Sequence, residues 1–186
     1  MQKRNIITIA GDLASGKGTV TNLLKEELNY EIYRNGEYFR KLAKEKGMSV
    51  TEFNEYVEEH PEIDIQIETS AKEYAKTHDN LIIDARLGWY VVPDSFKVYL
   101  TVDINEAAKR AFNDENRKDS ENLNSLEEQK QDMIKRFNLE NERYFNLYGV
   151  RKEDMLNYNF VLDTTNLTPM QVKEKIIEEY YKWKNI

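Results

Sequence analysis

The chain contains no cysteine, which excludes disulfides and thiolate-held metals. It has two histidines, His60 and His78, too few for a histidine-rich metal centre, and His60 immediately precedes Pro61 at what reads as a helix break. A metal used by this protein is therefore expected to be bound through oxygen, and magnesium is the expected ion. Three prolines in 186 residues, with 40% hydrophobic and 33% charged residues, exclude a disordered chain and fit a single globular domain, residues 1–186. No apolar run reaches the ~20 residues of a membrane-spanning helix. Gln2-Lys3-Arg4 leads into an apolar-rich run of only about six residues, too short for a secretory signal, so a cytoplasmic protein without a membrane partner is expected. The formal net charge of −7 argues against a general nucleic-acid surface, and a monomer is expected.

Against this background one stretch stands out, Gly11-Asp12-Leu13-Ala14-Ser15-Gly16-Lys17-Gly18-Thr19. It lies between the apolar run Asn5-Ile6-Ile7-Thr8-Ile9-Ala10 and a segment with Val20, Leu23, Leu24 and Leu28 at helical spacing. Gly11 and Gly16 permit backbone conformations closed to other residues, so successive N–H groups can turn around an anion, and Lys17 adds a mobile positive charge. The following helix offers its N-terminus to the same anion. The strict phosphate-loop pattern places Ser or Thr directly after the lysine; here Gly18 intervenes, which implies a close-packed helix start, and the hydroxyl falls on Thr19. Asp12 is unusual, because a carboxylate inside an anion nest is unfavourable unless its side chain faces solvent.

The remaining pattern predicts alternating strands and helices. Strands are expected at 5–10, 31–33, 80–86, 96–102 and 159–163, and helices at 17–29, 35–46, 49–58, 62–77, 105–112, 126–148 and 168–184. Asn35 is the expected cap of the second helix, and Ser49 with Glu52 forms a capping-box signature. Residues 35–78 thus form a helical excursion between two strands, and the polar stretch 113–125 reads as a short lid. Asp84 and Arg86 emerge at the C-terminal end of a central strand, where open α/β sheets bind ligands. Asp84 is placed to hold magnesium. The next residue is Ala85, where ATP-driven motors carry a water-activating Glu, so transfer to a bound acceptor fits better than hydrolysis.

Arginines are rationed, nine against eighteen lysines, and their planar forks suit phosphate oxygens. Arg136, Glu140 and Arg143 stand at i, i+4 and i+7 on one side of the long helix, with the carboxylate between two guanidinium groups. That spacing supports two readings: a set of helix-surface ion pairs, or two arginines that close over a phosphoryl group in flight. Arg110 and Arg117, near and within the lid, could reach a donor nucleotide in the same closure.

Together these motifs resemble the nucleoside monophosphate kinases and most closely the cytidylate kinases. The resemblance rests on Gly11 to Thr19, Gly36 through Arg40, Pro61-Glu62-Ile63-Asp64, Asp84-Ala85-Arg86-Leu87, Arg136 with Arg143-Tyr144, Tyr148-Gly149 and Leu162-Asp163-Thr164-Thr165-Asn166-Leu167 in family order. It implies a three-layer α/β P-loop kinase fold with a mainly parallel sheet flanked by helices, an acceptor-binding segment at 35–78 and a lid at 113–125. It further implies ATP as phosphoryl donor with Mg2+, and CMP or dCMP as acceptor. By position, Lys17, Arg136 and Arg143 would be catalytic, and Thr19 and Asp84 would hold the metal. Gly11, Asp12, Leu13, Ala14, Ser15, Gly16, Lys17, Gly18, Thr19, Arg110, Arg117, Thr165 and Asn166 would bind ATP. Gly36, Arg40, Asp64, Arg86, Glu140 and Arg143 would bind the monophosphate. A kinase for another nucleoside monophosphate or a small phosphorylated metabolite remains open, as does a nucleotide-binding regulator without turnover.

Overall fold

The computed structural model describes residues 4–114 and 125–185. The expected Arg117 and most of the expected lid lie outside the described residues. Five strands, β1 (Ile6–Gly11), β2 (Glu31–Arg34), β3 (Leu81–Asp84), β4 (Phe96–Thr101) and β5 (Phe160–Asp163), form one sheet in the order β2-β3-β1-β4-β5. Every pairing is parallel, with Ile7 opposite Ile82 on one side and Phe96 on the other. The helices among the described residues are α1 (Lys17–Leu28), α2 (Asn35–Glu45), α3 (Val50–Glu59), α4 (Pro61–Thr77), α5 (Gly88–Val91), α6 (Ile104–Asn113), α7 (Leu126–Tyr148) and α8 (Pro169–Asn185). None of them is long and apolar enough to cross a membrane.

Parallel strands must be covered on both faces, and β1 shows why this sequence obeys that rule: all six of its residues are buried. Ile7 and Ile9 join Val20, Leu24, Val98, Ile176 and Tyr180 in a cluster built with α1 and α8. Ile6 and Ala10 point the other way, toward clusters that contain Ala75 of α4, Trp89 of α5 and Tyr144 of α7. The result is the three-layer α/β architecture expected from the alternation of strand and helix periods.

The order of strands places the site. From β1 the chain crosses to β2 and β3 on one side, then to β4 and β5 on the other, so a crevice opens at the C-terminal end of β1. The loop 12–16 sits there. Gly11 approaches β4 so closely that an added Cβ would lie 2.4 Å from the Leu100 carbonyl oxygen, and its φ of +151° is disfavoured for other residues. Gly11→Ala is therefore expected to cost about 2 kcal/mol or more of stability, read as a lowered thermal midpoint; a midpoint within a degree of the parent would show that β1 and β4 separate freely.

Several boundaries differ from the sequence expectation. β3 ends at Asp84, so Ala85 and Arg86 lie beyond the strand. Asn35 is not a cap: Arg34 occupies that position without a capping bond, while the Asn35 side chain turns inward and donates to Glu68 Oε1 at 3.1 Å. The capping box of α3 forms as expected, with Glu52 N–H donating to Ser49 Oγ and Ser49 N–H to Glu52 Oε2. The short α5 and a 3-10 turn at Met155–Asn157 escaped periodicity because four and three residues are too few to show it.

Candidate active site

At the C-terminal edge of the sheet lies a cavity of about 880 Å³. Its wall includes residues 13–19 of the loop, Arg34 to Glu37, Arg40, Asp84 to Arg86, Arg110, Arg136, Glu140, Arg143 and Thr164. Residues far apart in sequence are thus brought to one crevice lined by charges of both signs. Gly16 has a left-handed backbone, φ +87°, and forms the N-cap of α1 without a side-chain bond, which leaves the first N–H groups of that helix aimed at the crevice. Gly18 is not close-packed, contrary to the expectation from its place after the lysine. A Cβ there would meet nothing within 4 Å, and its open side belongs to the cavity wall.

Lys17 is folded against the loop itself, its Nζ donating to the carbonyls of Gly11 at 2.8 Å and Asp12 at 2.9 Å. Burial, aided by the Arg86 guanidinium, lowers its pKa to about 7. The lysine is a poorly solvated cation with only carbonyl dipoles as direct partners, a state that an incoming polyphosphate would relieve. Asp12 is half-buried, and both of its carboxylate oxygens are bonded within the protein rather than left to solvent. Its Oδ1 accepts from Tyr99 Oη at 2.8 Å and its Oδ2 from the Val102 N–H at 3.1 Å, so the carboxylate points away from the anion nest and ties the loop to β4. No sequence signal joined Asp12 to Tyr99, because their contact spans two strands.

Arg136, Glu140 and Arg143 are 6%, 6% and 5% exposed, which rules out a solvent-facing set of ion pairs. Nor does Glu140 sit between its two helix neighbours. It accepts from Arg86 Nε at 2.9 Å and from Lys152 Nζ at 2.5 Å. Burial works to raise its pKa, but Arg86 and Lys152 outweigh that and hold the carboxyl well below the usual range. Arg136 lies 3.7 Å from Asp132, and Arg143 lies 2.5 Å from Asp64 and 3.2 Å from Asn54 Oδ1. Burial pushes Asp64 up to about 6 against the pull of Arg143. Each arginine is thus aimed by its own partner. Lys152, Asn54 and Asp132 carried no motif, and only the tertiary contacts single them out.

Arg40 and Gly36 lie on the exposed side of α2 facing the same cavity, and Asp84 is 3.9 Å from Arg34. Arg110 is held by Glu106 and donates to the Thr164 and Thr165 carbonyls at 3.0 and 2.9 Å. Thr165 spends its hydroxyl on Asp163 and on the Asp103 N–H, and neither it nor Asn166 is part of the cavity wall; Thr164 and Leu167 are. Among the described residues no cluster of three or more His, Asp or Glu forms a protein cage for a metal. A lone Asp84 carboxylate with the Thr19 hydroxyl fits an ion that keeps water and phosphate oxygens as its other ligands.

Residues 6–166 match the model of the cytidylate kinase-like family. A cytidylate kinase of Thermoplasma volcanium is 36% identical over 171 residues, covering 89% of this chain and 86% of that protein. An S-adenosylmethionine-dependent nucleotide dehydratase of Lacinutrix mariniflava is 34% identical over 95% of this chain, which spans only 36% of that longer protein. Among solved structures, shikimate kinase from Acinetobacter baumannii in complex with shikimate superposes with a TM-score of 0.59 at 16% identity, over 95% of this chain and 93% of that one, which speaks to the fold alone. The phosphate loop at the sheet's switch point, the buried arginines that face it and a family match across most of the chain converge, and the chain belongs to the cytidylate kinase-like family of P-loop kinases.

Proposed function

We propose that the protein transfers the γ-phosphoryl group of ATP to CMP or dCMP, giving ADP and the nucleoside diphosphate. The observation that carries this reading is the cavity itself, whose wall brings the phosphate loop, Arg40, Arg86, Arg136 and Arg143 to one place. A single phosphorylated ligand does not call for so many guanidinium groups; two meeting phosphates do.

In this reading the loop amides and Lys17 hold the donor phosphates, and Arg110, anchored on residues 164 and 165, borders the donor nucleotide. Arg40 and Arg86, both in the cavity wall, receive the acceptor phosphate. An oxygen of that phosphate forms the new bond to the γ-phosphorus as the bond from the γ-phosphorus to the β–γ bridging oxygen breaks. Arg136 and Arg143 neutralise charge on the phosphoryl group between the two. No general base is needed, since the acceptor phosphate is already an ionised nucleophile. Thr19 and Asp84 are the residues that would hold Mg2+, which supplies charge neutralisation on the donor phosphates when bound. The helical segment 35–78 forms the acceptor side.

Incubating the protein with Mg-ATP and separately with CMP, dCMP, UMP, AMP and GMP tests the reading. Diphosphate formation is expected with CMP and dCMP foremost. Absence of diphosphate from every acceptor would remove the nucleotide-kinase reading, and a preference for AMP or GMP would remove the cytidylate one.

A further inference from the structure

Helix α3 meets α7 through Thr51, Asn54 and Glu55, which stand at i, i+3 and i+4 and so share one face. Thr51 Oγ1 donates to Asp132 Oδ1 at 3.0 Å, Asn54 Oδ1 accepts from Arg143 Nη1 at 3.2 Å, and Glu55 accepts from Lys135. The pair of Glu55 and Lys135 has about half of each side chain in water and contributes little by itself. The other two contacts are largely out of water, and both lead to the arginines of the proposed transfer step. Yet α3 brings only Val50 and Asn54 to the cavity wall, neither of them charged. What this helix adds to the site is therefore orientation rather than charge.

On the Arg143 side the link is direct: Asn54 Nδ2 donates to the Val50 carbonyl at 2.8 Å, which fixes the amide and turns its Oδ1 to the guanidinium. On the Arg136 side it runs through a carboxylate. Asp132 Oδ1 is held by the Thr51 hydroxyl, and its Oδ2 lies 3.7 Å from Arg136 Nη1, with only 15% of the Asp132 side chain and 8% of the Arg136 side chain exposed. A carboxylate fixed at one oxygen presents the other in a defined direction. We propose that Thr51 and Asp132 are positioning residues for phosphoryl transfer, the α3 hydroxyl turning the α7 carboxylate that aims Arg136. This rests on the kinase reading above and adds to it residues that touch neither nucleotide. A guanidinium that meets charge on a phosphoryl group in flight works only within a narrow range of position, so loss of the aiming contact falls on kcat and not on the binding of donor or acceptor.

Initial rates with Mg-ATP and the preferred monophosphate give kcat and both KM values for the parent, Thr51→Val, Thr51→Ser, Asp132→Ala and the double variant Thr51→Val with Asp132→Ala. Valine keeps the shape of threonine and removes the hydroxyl, so Thr51→Val is expected to lower kcat about fivefold or more with each KM within about twofold of the parent. Thr51→Ser keeps the hydroxyl and is expected to retain the parent kcat within about twofold. Asp132→Ala is expected to lower kcat at least as far as Thr51→Val, and adding Thr51→Val to it is expected to cost nothing more, because the path from Thr51 to Arg136 is already cut. A contact that only fastened α3 to α7 would lower the thermal midpoint without this non-additive loss of kcat. A kcat in Thr51→Val within twofold of the parent, a loss that Thr51→Ser shares, or an equal further loss in the Asp132→Ala background would overturn the assignment while the parent remains a kinase; Asp132→Ala with an unchanged kcat would do the same, even if Thr51→Val did not fold. A parent protein that phosphorylates no monophosphate would instead overturn the kinase reading itself.

Discussion

Replacing Lys17 with Met is expected to lower kcat for phosphoryl transfer by roughly a thousandfold while leaving the protein folded. The two halves of that expectation come from the same fact. Lys17 is buried and its ammonium has only the carbonyls of Gly11 and Asp12 as direct hydrogen-bond partners, so its charge is held at a cost to the fold, as its pKa of about 7 reflects. Met keeps the length of the side chain and removes that cost, so the thermal midpoint should stay within a few degrees of the parent or rise. In the proposed reaction, by contrast, the donor phosphates would lose the cation placed inside their loop, and charge that builds on them in the transition state would go unmet. Initial rates with Mg-ATP and CMP, set beside a melting curve of the same preparation, check both halves. A rate within threefold of the parent would mean that the loop does not hold the reacting phosphates.

Glu140→Ala is expected to act in the opposite way, on the fold as much as on turnover. Glu140 is the shared counter-charge of Arg86 and Lys152, and side-chain exposures of 7%, 25% and 4% put the three largely out of water. Removing one member of a buried ionic group leaves uncompensated charge, at a cost of about 3–5 kcal/mol. For a chain of this size that corresponds to a fall in thermal midpoint on the order of 10 °C. Arg86 would also lose the bond that aims its guanidinium, so KM for the acceptor should rise in whatever fraction remains folded. A double variant, Glu140→Gln with Lys152→Met, removes one cation along with the carboxylate and should recover much of the midpoint without restoring KM. Were the midpoint of Glu140→Ala to move by less than about 2 °C, the trio could not be what holds α7 against the loop after β3.

These two expectations differ in how far the sequence alone could have led to them. Lys17 announces itself, because a glycine-bounded loop between a strand period and a helix period has few other uses. Glu140 did not. Its spacing from Arg136 and Arg143 drew attention to the right helix face, but the same spacing paired it with the wrong arginines. In the folded protein Arg86 arrives from the end of β3 and Lys152 from beyond α7, and both reach Glu140 before its helix neighbours do. Asp12 repeats the lesson. Its oddity in an anion nest was visible, but its resolution through Tyr99 and Val102 depended on the pairing of β1 with β4.

The amino-acid order by itself determined what is local: strand and helix periods, the glycines of the phosphate loop, the capping box at Ser49, and the family pattern those elements carry. Such features depend on residues within a turn or two of one another, where backbone geometry limits the choices. The tertiary structure alone decided which charges face each other, that Gly18 opens onto the cavity, and that Asn35 turns inward to Glu68. Those outcomes are settled by crossover connections and by competition among buried groups for a few partners, and that competition runs between residues brought together only by folding.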